Sequence, residues 1–175
     1  MIMGSPSQTR RQRGYAWEKT IVKRFLNTQG WDAVRLGSPS VSLPDVMAVN
    51  ADRSTMFAIE AKSGAGDLLY VPYDQLARCI WWLSMFRGRF ETRTPMMAFH
   101  FLAKKRNSDG THTPRKGRDW FFAATDEFLL AIPNNLEKIV CKYNGGTYGI
   151  AEGKRVPFDV LPRNTSPHDL SLIHI

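Results

Sequence analysis

Cysteine is scarce: Cys79 and Cys141 are the only two in 175 residues. They stand far apart and match no zinc spacing, so neither a metal-stapled nor a disulfide-stapled scaffold is expected. Two reduced, buried thiols are the simpler reading. The four histidines, His100, His112, His168 and His174, form no ligand pattern. Long apolar runs are missing as well. "CIWWLSMF" is far too short to span a bilayer and is interrupted by Ser84. The opening "MIMGSPSQTRRQRG" has no apolar stretch of the secretory kind. Residues 1–13 read as a flexible basic leader, with the fold starting near Gly14. An intracellular protein without membrane association is expected, and no internal repeat is visible.

Acids are in short supply. Lys and Arg number 24 against 16 Asp and Glu, a net charge of +8. Such an excess favours an anionic partner, nucleic acid being the commonest. The alternative is a basic protein kept soluble by its charge. Position argues for the first. Arg10, Arg11 and Arg13 precede the first expected helix with no acid among them. Lys104, Lys105, Arg106, Arg115, Lys116 and Arg118 crowd one Gly/Ser/Thr/Pro-rich stretch with only Asp109 and Asp119 nearby. Bases clustered in segments of that composition suit phosphate contacts.

What is present suits one domain with an ordinary core, at 43% hydrophobic residues. "GYAWEKTIVKRFLNTQGW" carries Trp17, Ile21 and Phe25 at helical spacing, with Gly30 as a stop. Glu18 lies beside that stripe. By itself it reads as a rim acid pairing with Lys19 or Lys23. "WDAVRL", "DVMAV" and "TMFAIEAK" read as strands, the last two joined by the turn-forming "NADRS". "SGAGDLLYVP" reads as a Gly-rich loop leaving the sheet. Pro72 then opens a helix, "YDQLARCIWWLSMFRG", that Gly88 ends. That helix is apolar nearly all round, so it is covered on more than one side, by a second subunit or by a C-terminal segment. "PMMAFHFLA" and "DWFFAAT" form a long hairpin across the basic stretch, and "DEFLLAIP" a short helix. After Asn134 only turns and weak strands are legible. This order predicts an α/β fold, a central mixed β-sheet flanked by α-helices. Residues 14–133 form its domain, and residues 134–175 a C-terminal extension.

Within "SLPDVMAVNADRSTMFAIEAKSGAG", Glu60 and Lys62 alternate onto one strand face while Phe57, Ile59 and Ala61 face the core. Asp45 opens the neighbouring strand. Charged residues in such places are either a polar sheet edge in solvent or a site that holds metal. Two carboxylates meeting there, with the carbonyl of Ala61, supply hard oxygen ligands for Mg²⁺ or Mn²⁺. Glu18 can add a third if the first helix packs on that edge. A bound divalent cation activates water for phosphodiester hydrolysis, and Lys62 can offset charge on phosphorus.

Pro44–Asp45 followed by Glu60-X-Lys62 is the pattern of the PD-(D/E)XK nucleases. The succession "GYAWEKTIVKRFLNTQGWDAVRL", "GSPS", "PDVMAV", "AIEAKS" and "LLYVPYDQLARCIWWL" resembles archaeal-type Holliday junction resolvases from about Arg11 to Arg87. The resemblance implies a restriction-endonuclease-like core and an Mg²⁺-dependent endonuclease, with Mn²⁺ as a substitute. It implies Glu18, Asp45 and Glu60 as metal-binding acids, which overturns the rim reading of Glu18, and Lys62 as catalytic lysine. A loop serine is also implied; Ser38 is the choice, with Ser40 open. Arg11, Arg13 and Arg35 resemble DNA-contacting bases, and Gln75 the family's helix glutamine. The implied assembly is a homodimer on a four-way DNA junction, cut by paired symmetric nicks in recombination and repair. Another nuclease of the same superfamily, or a non-catalytic junction binder, is the competing reading. Lys104, Lys105, Arg106 and their neighbours extend the DNA surface or are only solvated. Affinity for DNA should fall with salt by a log–log slope of about −0.9 per phosphate neutralised, measured by titration at several ionic strengths. A flat dependence would remove the charge argument.

Overall fold

Trp17, Ile21 and Phe25 are buried along one side of α1 (Pro6–Leu26). The computed structural model describes residues 6–36 and 42–158, with side chains from residue 12 onward. The helix starts about two turns before Gly14, where the sequence reading placed its beginning. Proline is suited to a first turn, where no N–H partner is needed, and the Gln and Arg that follow favour helix. The chain turns out of α1 through Gly30, whose φ of +80° suits glycine.

Three strands follow as expected: β1 (Asp32–Arg35), β2 (Val46–Asn50) and β3 (Thr55–Gly64), each antiparallel to the next. After β4 (Leu68–Pro72) and α2 (Tyr73–Ser84), β5 (Thr92–Phe101) returns parallel to β3. β6 (Lys104–Arg106) and β7 (His112–Pro114) make an exposed two-stranded hairpin from the basic stretch. β8 (Arg118–Ala123) then pairs antiparallel with β5. The central sheet runs β1-β2-β3-β5-β8. α1 covers one face, packing Trp17, Ile21 and Phe25 on Val46, Phe57, Ile59 and Met96. α2 covers the other, with Cys79 and Leu83 against Met47, Met56 and Ala58. β3 is buried on both faces along Met56–Glu60.

The expected loop "SGAGDLLYVP" is corrected. Its second half is β4, which begins a second sheet in the order β11-β10-β9-β4. The other members are β9 (Leu136–Lys142), β10 (Thr147–Ala151) and β11 (Lys154–Val156), from the region legible only as weak strands. "LLYV" hides its period-two pattern because both of its faces are apolar. Leu69 and Val71 turn inward while Leu68 and Tyr70 stay exposed. The inner face, with Val71, Ile139 and Cys141, packs on Met97, Phe99 and Phe122 and on Phe128 of α3 (Asp126–Ala131). Leu76 and Ile80 of α2 join that cluster. The C-terminal half of the chain thus supplies one of the covers that the apolar α2 required. Trp81 and Met85 remain exposed, at 57% and 49%.

Both cysteines are free and buried, as expected. Burial pushes the Cys141 thiol up to about 12, so it stays protonated and inert. No described helix is long and apolar enough to cross a membrane.

Phe122 lies at the junction of the two sheets, fully buried and 5.0 Å from Phe128 between ring centroids. Phe122→Ala should cost about 3–5 kcal/mol. Urea unfolding should show one transition at a lower midpoint. Two separated transitions would mean that the second sheet folds on its own.

Candidate active site

Glu18 is held where it is by its neighbour. Trp17 donates its indole N–H to the Ala98 carbonyl at 3.1 Å and stacks on His100. About two helical turns further on, Arg24 pairs with Asp119 of β8, which also accepts a hydrogen bond from His100 Nδ1. These contacts fix the angle of α1 and leave the Glu18 carboxylate at the sheet's end, 8% exposed. Burial pushes the Asp119 carboxyl up, but hydrogen bonds from His100 and Arg24 outweigh it and hold it below its ordinary value. Arg35 of β1 donates its Nε–H to Glu18 and lies over the Tyr15 ring at 4.2 Å.

Asp45 is stitched between two strands. Its N–H donates to Ile59 at 3.1 Å and its carbonyl accepts from Leu36 at 3.0 Å. Val46 pairs with Ile59, so one step further along the ladder Asp45 stands beside Glu60. The Ala61 N–H donates to Asp45 Oδ2 at 2.8 Å. Alternation then separates the two faces as expected: Phe57 and Ile59 go to the α1 side, while Ala58 goes to the α2 side. Glu60 follows Ala58 and is 2% exposed. Lys62 Nζ donates to Glu60 Oε1 at 2.7 Å, and Arg78 of α2 donates to Oε2 at 3.1 Å.

The charges feel one another. Burial raises the Glu60 pKa above 4.5, the charge of Asp45 adds to the rise, and Lys62 and Arg78 partly offset it. Glu18 is also raised, first by burial and then by Asp45, against the lowering pull of Arg35 and Lys62. Asp45 is thus the shared electrostatic neighbour of both glutamates. The donor set fits a hard divalent cation in chemical type, since all three acids offer carboxylate oxygen. Their mutual repulsion is what such a cation would relieve. Among the described residues, however, no three His, Cys, Asp or Glu side chains form a ready metal-holding group. The acids are assembled pairwise around Asp45 and are answered by Arg35, Lys62 and Arg78.

Other expected residues lie elsewhere. Arg35, expected at the DNA, is committed to Glu18 and Tyr15 inside the site. Arg13 is half-buried on α1. Lys104 and Arg106 are exposed on the β6–β7 hairpin, and Lys105 pairs with Asp67 at 2.6 Å. Ser38 and Ser40 lie outside the described residues, as does the Arg11 side chain. Gln75 is half-buried, and its Oε1 is buried without a hydrogen-bond partner. Arg78 was missed by sequence reading. Its signal was a lone arginine in an otherwise apolar helical run, which demands a partner acid.

A mixed sheet between two helices, with an acid opening one strand and Glu-X-Lys in the next, defines the restriction-endonuclease-like class of nucleases. Within that class, the family described as archaeal Holliday junction resolvase (Hjc) matches residues 9–109, more than half of the chain, and the protein belongs to it. Its function is that of the family, a metal-dependent endonuclease that binds and resolves four-way DNA junctions. The solved structure of Archaeoglobus fulgidus Hjc, a Holliday junction resolvase from an archaeal hyperthermophile, is similar at 16% identity and a TM-score of 0.49. The match covers 75% of this chain and 85% of that one. No curated protein matches the chain.

A raised Glu60 pKa means that the folded protein holds this proton more tightly than the unfolded chain. The stabilising contribution is complete below about 4.5 and is lost as pH rises through the higher folded value. In EDTA, wild type should therefore lose stability relative to Glu60→Gln as pH climbs from 4 towards 8, read from urea midpoints. A constant difference between the two would show that Glu60 is not desolvated.

Proposed function

We propose that Asp45 and Glu60, with Glu18 and the Ala61 carbonyl, hold Mg²⁺ or Mn²⁺, and that Lys62 is the catalytic lysine of junction cleavage. The observation that carries this reading is the Asp45–Glu60 neighbourhood, with the Ala61 N–H donating to Asp45 at 2.8 Å and Lys62 reaching Glu60 at 2.7 Å. When bound, the divalent cation supplies Lewis acidity at the scissile phosphate. The chain's own groups do the rest. Lys62 turns its ammonium from Glu60 to the attacking water or a phosphoryl oxygen. Arg78 keeps the far Glu60 oxygen in place, and Arg35 does the same for Glu18. Ser38 is the loop serine of this reading.

Residues 14–133 carry this chemistry, with residues 134–158 packed beside it through the second sheet. Lys104 and Arg106, with Arg11 and Arg13 near the other end, contact phosphates. Specificity is for branched shape, since phosphate contacts position a protein without reading sequence. A homodimer presents two such sites for symmetric nicks. The exposed Trp81 of α2 and Met85 just after it support a second copy there. The protein acts inside the cell, on chromosomal DNA in recombination and repair.

Asp45→Asn, Glu60→Gln and Lys62→Ala should each reduce nicking of a four-way junction at least about 100-fold. Junction affinity should change only a few-fold. Cleavage is expected in Mg²⁺ or Mn²⁺ and not in EDTA, symmetrically about the junction centre. Equal losses of binding and cleavage would assign these residues to folding or DNA contact. Preference for one linear sequence over junctions would point to a restriction-like enzyme, and absence of divalent-ion binding to a non-catalytic junction binder.

A further inference from the structure

The outer face of the second sheet is built unlike an ordinary solvated surface. In the ladder Tyr70 pairs with Val140 and Val140 with Tyr148, so one row across three strands places both tyrosines on one side. Neighbouring rows bring Lys138, Lys142 and Arg155 to the same side. The cations lie on the rings: Lys138 Nζ is 5.1 Å from the Tyr70 centroid, and Arg155 Cζ is 4.4 Å from that of Tyr148. Lys142 Nζ also reaches Tyr148, at 5.7 Å. Among the described residues the one acid in these four strands is Glu137, at the register shift of β9, where its Oε1 accepts from the Gly153 N–H at 2.8 Å. Leu68 and Tyr70 are 52% and 54% exposed.

We propose that this face is a binding platform for single-stranded DNA. The rings hold the long basic side chains in place, so less freedom is lost when they meet phosphates. Exposed aromatic and apolar surface beside those cations takes the flat faces of unpaired bases, as on other sheet platforms for single strands. A duplex offers such a surface only phosphates and would leave Leu68 and Tyr70 without a partner. The platform stands independently of the cleavage chemistry; only the choice of DNA over RNA rests on the family assignment. β9, β10 and β11 lie outside residues 9–109, the part that matches the family. β4 joins the platform to the site, beginning just after the strand that carries Glu60 and Lys62.

The test uses the full chain in EDTA and fluorescence anisotropy with labelled oligo-dT of about 20 nucleotides, longer than the roughly 16-nucleotide upper site size of comparable sheets. Tyr70→Ala and Tyr148→Ala should each weaken binding by about 5- to 150-fold. Tyr70→Phe should bind like wild type. Lys142→Gln should lower the salt slope by about 0.7. Nicking of four-way junctions in Mg²⁺ at saturating protein should be unchanged in all of these variants, so failure of the platform is read separately from failure of the active-site reading. The proposal is overturned if wild type does not bind oligo-dT or the alanine variants bind it equally well. It is also overturned if a linear duplex suffers the same loss, or if oligo-U binds more tightly than oligo-dT. Sedimentation showing that Tyr70→Ala splits a dimer would make the face a contact between copies instead.

Discussion

A carboxylate buried in the middle of a sheet has to be answered by positive charge. Glu60 is 2% exposed, and Asp45 stands next to it with the same sign. Leaving either bare would cost several kcal/mol by the usual penalty for desolvated charge. Lys62 answers from two residues along the same strand, and Arg78 from the helix laid over it. Much of the architecture can be read as what keeps those groups together. β2 must start just after Asp45, α2 must cross where Arg78 reaches down, and α1 must begin its buried stripe beside Glu18.

The same arrangement explains why so many cations crowd so few acids. Arg35 pairs with Glu18, and Lys62 and Arg78 pair with Glu60. Each cation restrains a carboxylate and pulls its pKa down, against the larger rise that burial and Asp45 impose. Further from the chemistry, Asp67 does similar work for the basic hairpin. It accepts from Lys105 and Arg115 and so ties that hairpin to the loop following β3. Charge that looks diffuse along the chain is anchored at a few acids.

Legibility followed the strength of local pattern. The stripe of Trp17, Ile21 and Phe25, the β2–β3 turn and the alternation through Phe57–Lys62 each carry their own periodicity, and the structure has them in those places. Asp45, Glu60 and Lys62 were visible because acids and a lysine are out of place in a buried sheet. Glu18 was not; on periodicity it is one more rim acid, and only the resemblance to a family raised it. β4 and the strands after Leu136 were hidden for another reason. In β4 the inward and outward residues are both apolar or aromatic, so hydrophobicity alone shows no alternation, and between β9 and β10 the register shifts and breaks the period.

By itself, the sequence determined the local elements and the types of group at the site, because hydrophobic period and residue chemistry are properties of short segments. It also determined the excess of positive charge and the anionic kind of partner. Only the tertiary structure decided that Arg78 would face Glu60 and that Arg35 would be spent on Glu18. It likewise decided that β4 and β9 would meet to form a second sheet with tyrosines and cations on its outer face. These are contacts between residues far apart along the chain. They depend on how sheets and helices stack, which no stretch of local pattern encodes.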